Sequence, residues 1–270
     1  KKLDLFWIKA DERNTGSDVV NSTDDDTDMY GAYFTWPEVG TSLVGFDLYA
    51  MLVKSNFDRG PGGVDGSHQT KMDSYWVGGR VFRKPEWGWH FNLELTGQFG
   101  TLDGRPDGSD SDIEAFGGEA MLGYTWDTTG SPDLHVGYTY ATGDDDPADD
   151  KMETFAAPNP EIHPRLGFAD LFLASNISAW QLGYAGAWEN LAWGLEFYNF
   201  RMAESVLEDG ETNMANEVDL WFSYQYSRHL SLQTAFAWVG VEKALEEQVK
   251  EFDYDPNDAY RFYVNLRLML

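Results

Sequence analysis

Apolar and polar side chains alternate along the C-terminal residues, and this period of two limits the fold of the chain more than any other feature. One face of residues 259–270 carries only apolar or aromatic side chains: Tyr260, Phe262, Val264, Leu266, Leu268 and Leu270. The other face carries Ala259, Arg261, Tyr263, Asn265, Arg267 and Met269. Because successive side chains of a β-strand point to opposite sides, the pattern predicts a strand with hydrocarbon on one side and water on the other.

The same alternation recurs upstream and predicts about twelve strands of about ten to fourteen residues each. Their predicted spans are 2–11, 27–36, 42–54, 70–83, 87–101, 111–126, 133–143, 177–188, 191–203, 214–226, 230–241 and 258–269. Strands of soluble proteins have about five or six residues. About ten residues, tilted by about 40°, rise about 25 Å, which is the height of the apolar band of an outer membrane. We therefore predict an all-β fold, a transmembrane antiparallel up-and-down β-barrel that forms a single domain over residues 1–270.

The predicted connections alternate in length. The short turns are 37–42, 84–86, 127–132, 189–190 and 227–229. The long connections are 12–26, 55–69, 102–110, 144–176, 204–213 and 243–257. Short periplasmic turns and long outer loops are typical of bacterial barrels, and an even number of strands places both termini on the periplasmic side. The longest outer loop, 144–176, is expected to fold inward or to gate the pore.

The composition fits such a barrel better than it fits a soluble domain. The net charge is −27, yet aromatic residues make up 16% of the chain, and the mean hydropathy is −0.46. Half-apolar strands, polar loops and aromatic girdles together account for these values. The acidic balance argues against a nucleic-acid partner. There is no cysteine, which excludes disulfides and thiolate metal sites, and no apolar run of about eighteen residues suggests a transmembrane helix.

Tryptophans lie beside the predicted short turns, where an aromatic ring can rest at the level of the lipid headgroups. We predict that they form an aromatic girdle: Trp36, Trp87, Trp89, Trp126, Trp188 and Trp193. The alternative is that they are core residues of a soluble sandwich, but a sandwich would not favour one end of the strands.

Several stretches resemble the alginate-export family of outer-membrane porins. They are YTYATGDDDP at 138–147, followed by Asp149-Asp150-Lys151 and Thr154-Phe155, LEFYNFRMAE at the end of 176–204, NEVDLWFSYQYSRHLSL at 216–232, and the terminal strand. Near the start, 25–33 and FDLYAM at 46–51 are also similar to the family. The resemblance covers most of the chain and implies a β-barrel porin in the outer membrane of a Gram-negative bacterium. Its partners would be membrane lipid and lipopolysaccharide outside and a small-molecule or oligosaccharide cargo inside.

The sequence departs from that family in its number of strands. Members usually form a larger barrel, of about eighteen strands. The N-terminal third would then be missing, which agrees with a chain that opens inside a predicted strand with no visible signal peptide. A processed form or a fragment is one interpretation, and a complete twelve-strand barrel is the other. The number of chains in the functional assembly stays open.

The charge of the predicted lumen is the second departure, because an alginate exporter is expected to line its pore with arginines. Inward-facing acids outnumber the bases here: the acids are Asp47, Glu94, Glu119, Glu196, Glu217 and Asp219, and the bases are Arg80, Arg261 and Arg267. Such a lumen would repel a polyuronate and favour cations or neutral solutes. We expect Arg261 and Arg267 to face Glu217 and Asp219, either as a selective constriction or as stabilising charge pairs. Lumen aromatics, namely Trp221, Tyr263 and Tyr49, could stack on sugars or simply fill space.

Carboxylate clusters occur in the predicted outer loops, at 24–26, 107–112 and 144–150. Hard cations such as Ca²⁺ or Mg²⁺ take carboxylate oxygens, so we name Asp144, Asp145, Asp146 and Asp150 as candidate ligands, although the spacing completes no EF-hand. The alternatives are a solvated acidic loop and cations shared with lipopolysaccharide phosphates. No other cofactor is expected.

No recognisable catalytic motif occurs in the sequence, and the nearest acid–base pair is His90 with Glu94. We therefore predict a protein that is not an enzyme. The leading hypothesis is a passive outer-membrane channel for small hydrophilic solutes or oligosaccharides. A structural or partner-binding barrel without an open pore is the second hypothesis, and a soluble carbohydrate-binding sandwich is the third.

Overall fold

A computed structural model describes residues 1–11, 27–37, 44–57, 70–103, 110–146, 148–157, 163–250 and 258–268. The predicted acidic clusters at 24–26 and 107–109 lie outside these ranges. The strands are β1 (Lys2–Asp11), β2 (Thr27–Trp36), β3 (Val44–Phe57), β4 (Thr70–Arg83), β5 (Gly88–Asp103), β6 (Ser111–Thr125), β7 (Asp133–Ala141), β8 (Lys151–Met152), β9 (Ile177–Trp188), β10 (Leu191–Arg201), β11 (Asn213–Ser227), β12 (Leu230–Val241) and β13 (Ala259–Leu268). The helices in these ranges are α1 (His163–Leu166) and α2 (Lys243–Lys250), and neither is long and apolar enough to cross a membrane.

The long strands form one sheet in which every strand neighbours those next to it in the chain, in the order β1 to β7 and then β9 to β13. The registers of the described long pairs are antiparallel throughout, for example Glu196 opposite Asp219 across β10 and β11. The short strand β8 lies off this path and runs parallel to β6. The predicted all-β, up-and-down antiparallel order is confirmed.

Each predicted strand corresponds to a strand of the structure, with shifts at its ends. Strand β7 ends at Ala141 and β10 at Arg201, each two residues before the predicted end. Strand β8 and helix α1 lie within the predicted loop 144–176, and α2 lies within the loop 243–257. None of these three elements was predicted, because each is too short to show a period.

The chain divides into two compact units. Unit 1 consists of Lys1–Val81, Glu94–Phe116 and Asp144–Phe155, and unit 2 consists of Phe82–Leu93, Gly117–Gly143 and Ala156–Leu270. Unit 1 therefore contains β1 to β3 with β8, and unit 2 contains β7 and β9 to β13. Strands β4, β5 and β6 contribute to both units.

Burial in both units is the reverse of that in a soluble protein. On β11, Glu217 and Asp219 are 0% exposed, while the alternate residues Leu220 and Phe222 are exposed. On β13, Phe262 is 70% exposed. We call the side with the buried charges the polar face and the other the apolar face. Since apolar residues are normally the buried ones, the apolar rows do not form the dry interior of a sandwich, and the predicted alternation is confirmed.

Small side chains line much of the buried polar face of unit 2. Those at most 2% exposed are Ala141, Ala179, Ala215, Ala235 and Ala237. Their size leaves room for polar groups of neighbouring strands and for chain that lies on this face.

Candidate functional site

Two adjacent strands of unit 2 place an acidic patch on the polar face. Glu196 of β10 lies directly opposite Asp219 of β11, and Tyr198 lies opposite Glu217. Since alternate residues of a strand share a face, these four side chains form one two-by-two group. All four are buried, so their polar atoms depend on partners within the protein.

Residues 165–172, which we call the capping segment, lie over this patch. They belong to the long predicted loop 144–176. The Phe172 ring packs on the Phe200 ring of β10 with centroids 4.3 Å apart. The buried apolar residues of the segment are Leu166, Ala169 and Phe172. The segment is therefore packed on the polar face of unit 2, while the prediction that the loop 144–176 folds into a pore or gates it stays a prediction.

The backbone of the capping segment donates hydrogen bonds to the two acids of β11. The Phe168 amide donates to Asp219 Oδ2 at 2.9 Å, and the Ala169 amide donates to Glu217 Oε1 at 2.8 Å. Gly167 has a φ of +82°, and a Cβ placed there would lie 2.7 Å from Glu217 Oε2. Only glycine allows the backbone to approach the carboxylate so closely in this conformation.

Side chains of opposite charge hold both ends of the capping segment. Arg165 Nε lies 2.7 Å from Glu119 Oε2 of β6. Arg261 of β13 pairs with Asp170 and also donates to the Ala169 carbonyl at 3.1 Å. Buried or half-buried pairs of this kind are stabilising only when both partners stay in place. Residues predicted to line the lumen are thus the ones that hold the segment.

One oxygen of each β11 acid has no hydrogen-bond partner among the described residues: Glu217 Oε2 and Asp219 Oδ1 are both buried and unpaired. Glu217 and Asp219 are alternate residues of β11, so their buried carboxyl groups lie side by side on the polar face. Two ionised carboxylates cannot bond to each other, because neither has a proton to donate. Orphaned buried oxygens are uncommon in proteins.

A hydrogen-bonded chain of side chains reaches the patch from β5 and β7. His90 Nε2 and Asp133 Oδ2 are 2.6 Å apart, and Asp133 Oδ1 and His135 Nδ1 are 2.8 Å apart. His135 Nε2 then lies 3.1 Å from Glu196 Oε2. The structure therefore pairs His90 with Asp133, and the predicted pairing of His90 with Glu94 is replaced by this chain.

The polar face of unit 1 carries a second charged cluster. Asp47 Oδ2 accepts hydrogen bonds from Arg80 Nε at 2.9 Å and Arg80 Nη2 at 2.6 Å, and from the Tyr33 hydroxyl at 3.0 Å. The Tyr49 hydroxyl donates to Glu94 Oε1 at 2.7 Å. The Tyr33 and Tyr49 rings stack with centroids 5.6 Å apart. Three predicted lumen residues thus meet in one network.

The two predicted lumen arginines of β13 differ in their surroundings. Arg261 lies in the same cross-strand row as Asp219, with β12 between their two strands. The partner of its guanidinium is Asp170 of the capping segment. Arg267 lies opposite Ser231 and is exposed. The expectation that both arginines face the β11 acids is therefore met in position by Arg261 alone.

Aromatic residues on the polar face lie flat against glycines of neighbouring strands. The Trp221 ring covers Gly194, where an added Cβ would lie 2.5 Å from the indole nitrogen. The Tyr49 ring covers Gly78 in the same way, and Tyr263 is half-buried. Their predicted stacking on sugars stays a prediction.

The tryptophans predicted to form a girdle differ in exposure. Those open to solvent are Trp87, Trp89, Trp126 and Trp188, with Trp188 at 67%. Trp36 and Trp193 are half-buried. Large exposed rings beside turns are compatible with a girdle, whose membrane role stays a prediction.

The structure brings together only two of the four predicted cation ligands, Asp144 and Asp145, with a third carboxylate. Carboxylate oxygens of Asp144, Asp145 and Glu153 lie within 4.8 Å of one another, the one group of this kind among the described residues. Asp146 instead accepts the Ala148 amide at 3.2 Å, and the Asp150 side chain is not part of the group. Partial loss of solvent and the adjacent Asp145 carboxyl raise the pKa of Glu153. The cluster is exposed enough to be a solvated loop, so cation binding stays a prediction.

Sequence reasoning missed several residues that form the site. Asp133 and His135 alternate at the start of β7, so the period of two that identified Glu196 also pointed to them. Arg165 and Asp170 lie in a loop with no period, and no sequence signal identified them.

A sequence model of a protein family described as alginate export matches residues 2–205, which is 204 of the 270 residues. None of the curated protein sequences matches the chain.

Proposed function

The chain belongs to the alginate-export family, a family of outer-membrane porins, and we propose that it forms a β-barrel channel for passive passage of small hydrophilic solutes or oligosaccharides. The reversed burial of charged and apolar side chains carries this proposal. The family is one of transport proteins, and the proposed role includes no bond chemistry.

The exposed apolar face supports an outer-membrane location. Soluble monomers rarely expose contiguous apolar patches above about 600 Å², whereas strands of a membrane barrel turn alternate apolar residues to lipid. Hydrocarbon offers no partner for backbone groups at an open sheet edge, so the sheet closes into a barrel, alone or with further strands. Lipid and lipopolysaccharide of a Gram-negative outer membrane are the partners of this face.

The charges of the polar face support a preference for cations. The Asp47 carboxylate is neutralised by Arg80, and Glu119 by Arg165. Among the described residues, Glu217 and Asp219 form no ion pair with an arginine, and Glu196 pairs with His135, so an excess of acids remains on this part of the polar face. A pore with that balance attracts cations and repels a polyuronate, so its cargo is a neutral or cationic solute rather than alginate.

Reversal potentials across planar bilayers with a KCl gradient test the cation preference. The wild type should favour K⁺, and Glu196→Gln, which removes one lumen charge, should weaken that preference. Glu208→Gln removes an equal charge from an exposed connection and serves as the matched control. A clear preference for Cl⁻ in the wild type would contradict the proposal.

A barrel without an open pore is the second candidate, favoured by one observation: the capping segment covers the polar face of unit 2. Liposome swelling in sugar solutions separates the two functions. Swelling by the wild type, or by a variant in which Gly167→Ala pushes the segment off Glu217, supports a channel. No swelling by either protein supports a scaffold.

A further inference from the structure

We propose that Glu217 and Asp219 share one proton that latches the capping segment, so that the channel is closed at low pH and opens as the pH rises. This inference rests on the proposed channel function and adds the regulation of the same site.

The carboxyl pair itself is the first step of the argument. Both side chains are 0% exposed, and each has one buried oxygen without a partner. Two negative charges side by side on one strand face and away from water repel each other strongly. One proton between Glu217 Oε2 and Asp219 Oδ1 removes one charge and supplies the missing hydrogen bond, which satisfies both orphaned oxygens.

The charged groups around the pair do not neutralise it. From the capping segment, Asp170 adds a further carboxylate. From β13, Arg261 is paired with that carboxylate. From β10, Glu196 faces Asp219 and is itself bonded to His135 of β7.

Helix α2 also contacts β11; its Lys243 pairs with Asp209 and Glu247, and it carries the acid Glu246. The neighbours on the adjoining strands carry no charge. Tyr198 lies opposite Glu217 on β10. On β12, Val239 and Ala237 lie opposite Glu217 and Asp219. A shared proton is therefore the simplest way to keep the two acids buried.

Loss of that proton destabilises the covered state. The amides of Phe168 and Ala169 already donate to the other two oxygens, and no described group donates to Glu217 Oε2 or Asp219 Oδ1. Hydration is the remaining way to stabilise the charge, and it requires the segment to leave. Because the proton is bound in the covered state and lost in the hydrated state, each pH unit shifts the ratio of covered to open channels by up to about tenfold toward the open state.

Single-channel recording between about pH 5 and 9 tests the latch directly. The wild type should be mostly closed at the acid end and mostly open at the alkaline end. Glu217→Gln supplies a permanent donor in place of the proton and should keep the channel closed across the range. Gly167→Ala places a methyl group against Glu217 and should keep it open across the range. Glu208→Gln, in an exposed connection, should titrate like the wild type.

A second measurement works even if no current passes. The chain has no cysteine, so Leu171→Cys, at an exposed position of the capping segment, gives a unique site for a nitroxide label. Its mobility in lipid vesicles should rise with pH and stay low when Glu217→Gln is added.

The outcomes of the two measurements separate the latch from the channel. Current without any pH dependence, together with an unaltered Glu217→Gln variant, overturns the latch and leaves the channel intact. Absence of current at every pH overturns the channel, while the label still reports on the latch. If the channel closes when Ca²⁺ is added and does not respond to pH, a cation bridges the two carboxylates. That result overturns the proposal that they share a proton.

Discussion

Asp47 shows how one residue of the polar face depends on its partners. It is 1% exposed, and a single oxygen accepts from both Arg80 and the Tyr33 hydroxyl. Burying a charged carboxylate at this position is unfavourable unless a cation and hydrogen-bond donors accompany it. The ion pair with Arg80 therefore offsets the cost of burying Asp47 and need not add net stability to the fold.

Arg80→Met should accordingly be destabilising by about 3–5 kcal/mol, the usual effect of breaking a buried pair. Urea unfolding of the protein in lipid vesicles, followed by tryptophan fluorescence, measures the change. Adding Asp47→Asn should recover part of the loss, because the buried charge is then gone. Lys54→Met removes a cation from the exposed pair with Asp73 and should cost less than about 1 kcal/mol. Equal losses of unfolding free energy for Lys54→Met and Arg80→Met would contradict this account.

Glycine and aromatic residues form matched pairs at the same scale. Gly194 lies opposite Trp221 on the next strand, and the indole occupies the space of the missing Cβ. A large ring can lie flat on the polar face only where its cross-strand neighbour has no side chain. This explains why glycines occur inside strands, where they otherwise weaken the sheet.

At the scale of elements, alternation decided what the sequence could predict. Strands such as β11 and β13 repeat the pattern over ten or more residues, so their existence and faces followed directly. The capping segment has no such period, and its position depends on contacts with Glu217 and Asp219, which lie about fifty residues away in the chain. No local rule contains that information. Helix α2 is an intermediate case, because Ala244, Leu245 and Glu246 are good helix formers within residues that were predicted only as a long connection.

The start of α2 is tied to the connection between β10 and β11 by an ion pair of Lys243 with Asp209. The hydrogen bond from Lys243 lowers the pKa of the Asp209 carboxyl, and the same bond raises the pKa of Lys243. A lowered carboxyl pKa stabilises the contact above its ordinary value of about 3.9, and this contribution is lost as the pH falls through the lowered value. The raised lysine pKa keeps the contact until well above neutral pH.

A nitroxide on Glu208→Cys should therefore keep constant mobility between about pH 5 and 9 and become mobile only below about pH 4. Lys243→Ala should make it mobile at every pH. The mobility of the label on Leu171→Cys in the capping segment should change with pH between about pH 5 and 9, where that of the Glu208→Cys label stays constant. The two labels together distinguish a specific latch from general loosening of the protein. A Glu208 label that responds near neutral pH would show that Asp209 is not held by Lys243.

At the scale of the whole molecule, the buried acids of the strands and the exposed apolar side chains occupy different faces. Buried acids such as Glu217 and Asp219 lie on the polar face, while the apolar face carries exposed Leu, Phe, Trp and Tyr. Acids on that side, such as Glu114 beside Phe116, occur near a strand end. Membership in a porin family and the order of the strands agree with this separation. The two faces could be predicted from the sequence because the strands repeat the same alternation of polar and apolar residues. The partner of each buried acid could be identified only in the folded structure.

Phe236 and Gln233 allow a direct test of which medium meets each face. They lie three residues apart on β12, Phe236 exposed on the apolar face and Gln233 half-buried on the polar face. If the apolar face meets hydrocarbon, Phe236→Arg should be destabilising by about 2–4 kcal/mol near the bilayer midplane, while Gln233→Arg in a hydrated lumen should change stability little. Equilibrium unfolding in lipid vesicles measures both. In water an exposed phenylalanine could be replaced by arginine at almost no cost, so a neutral Phe236→Arg would mean that no membrane surrounds the sheet.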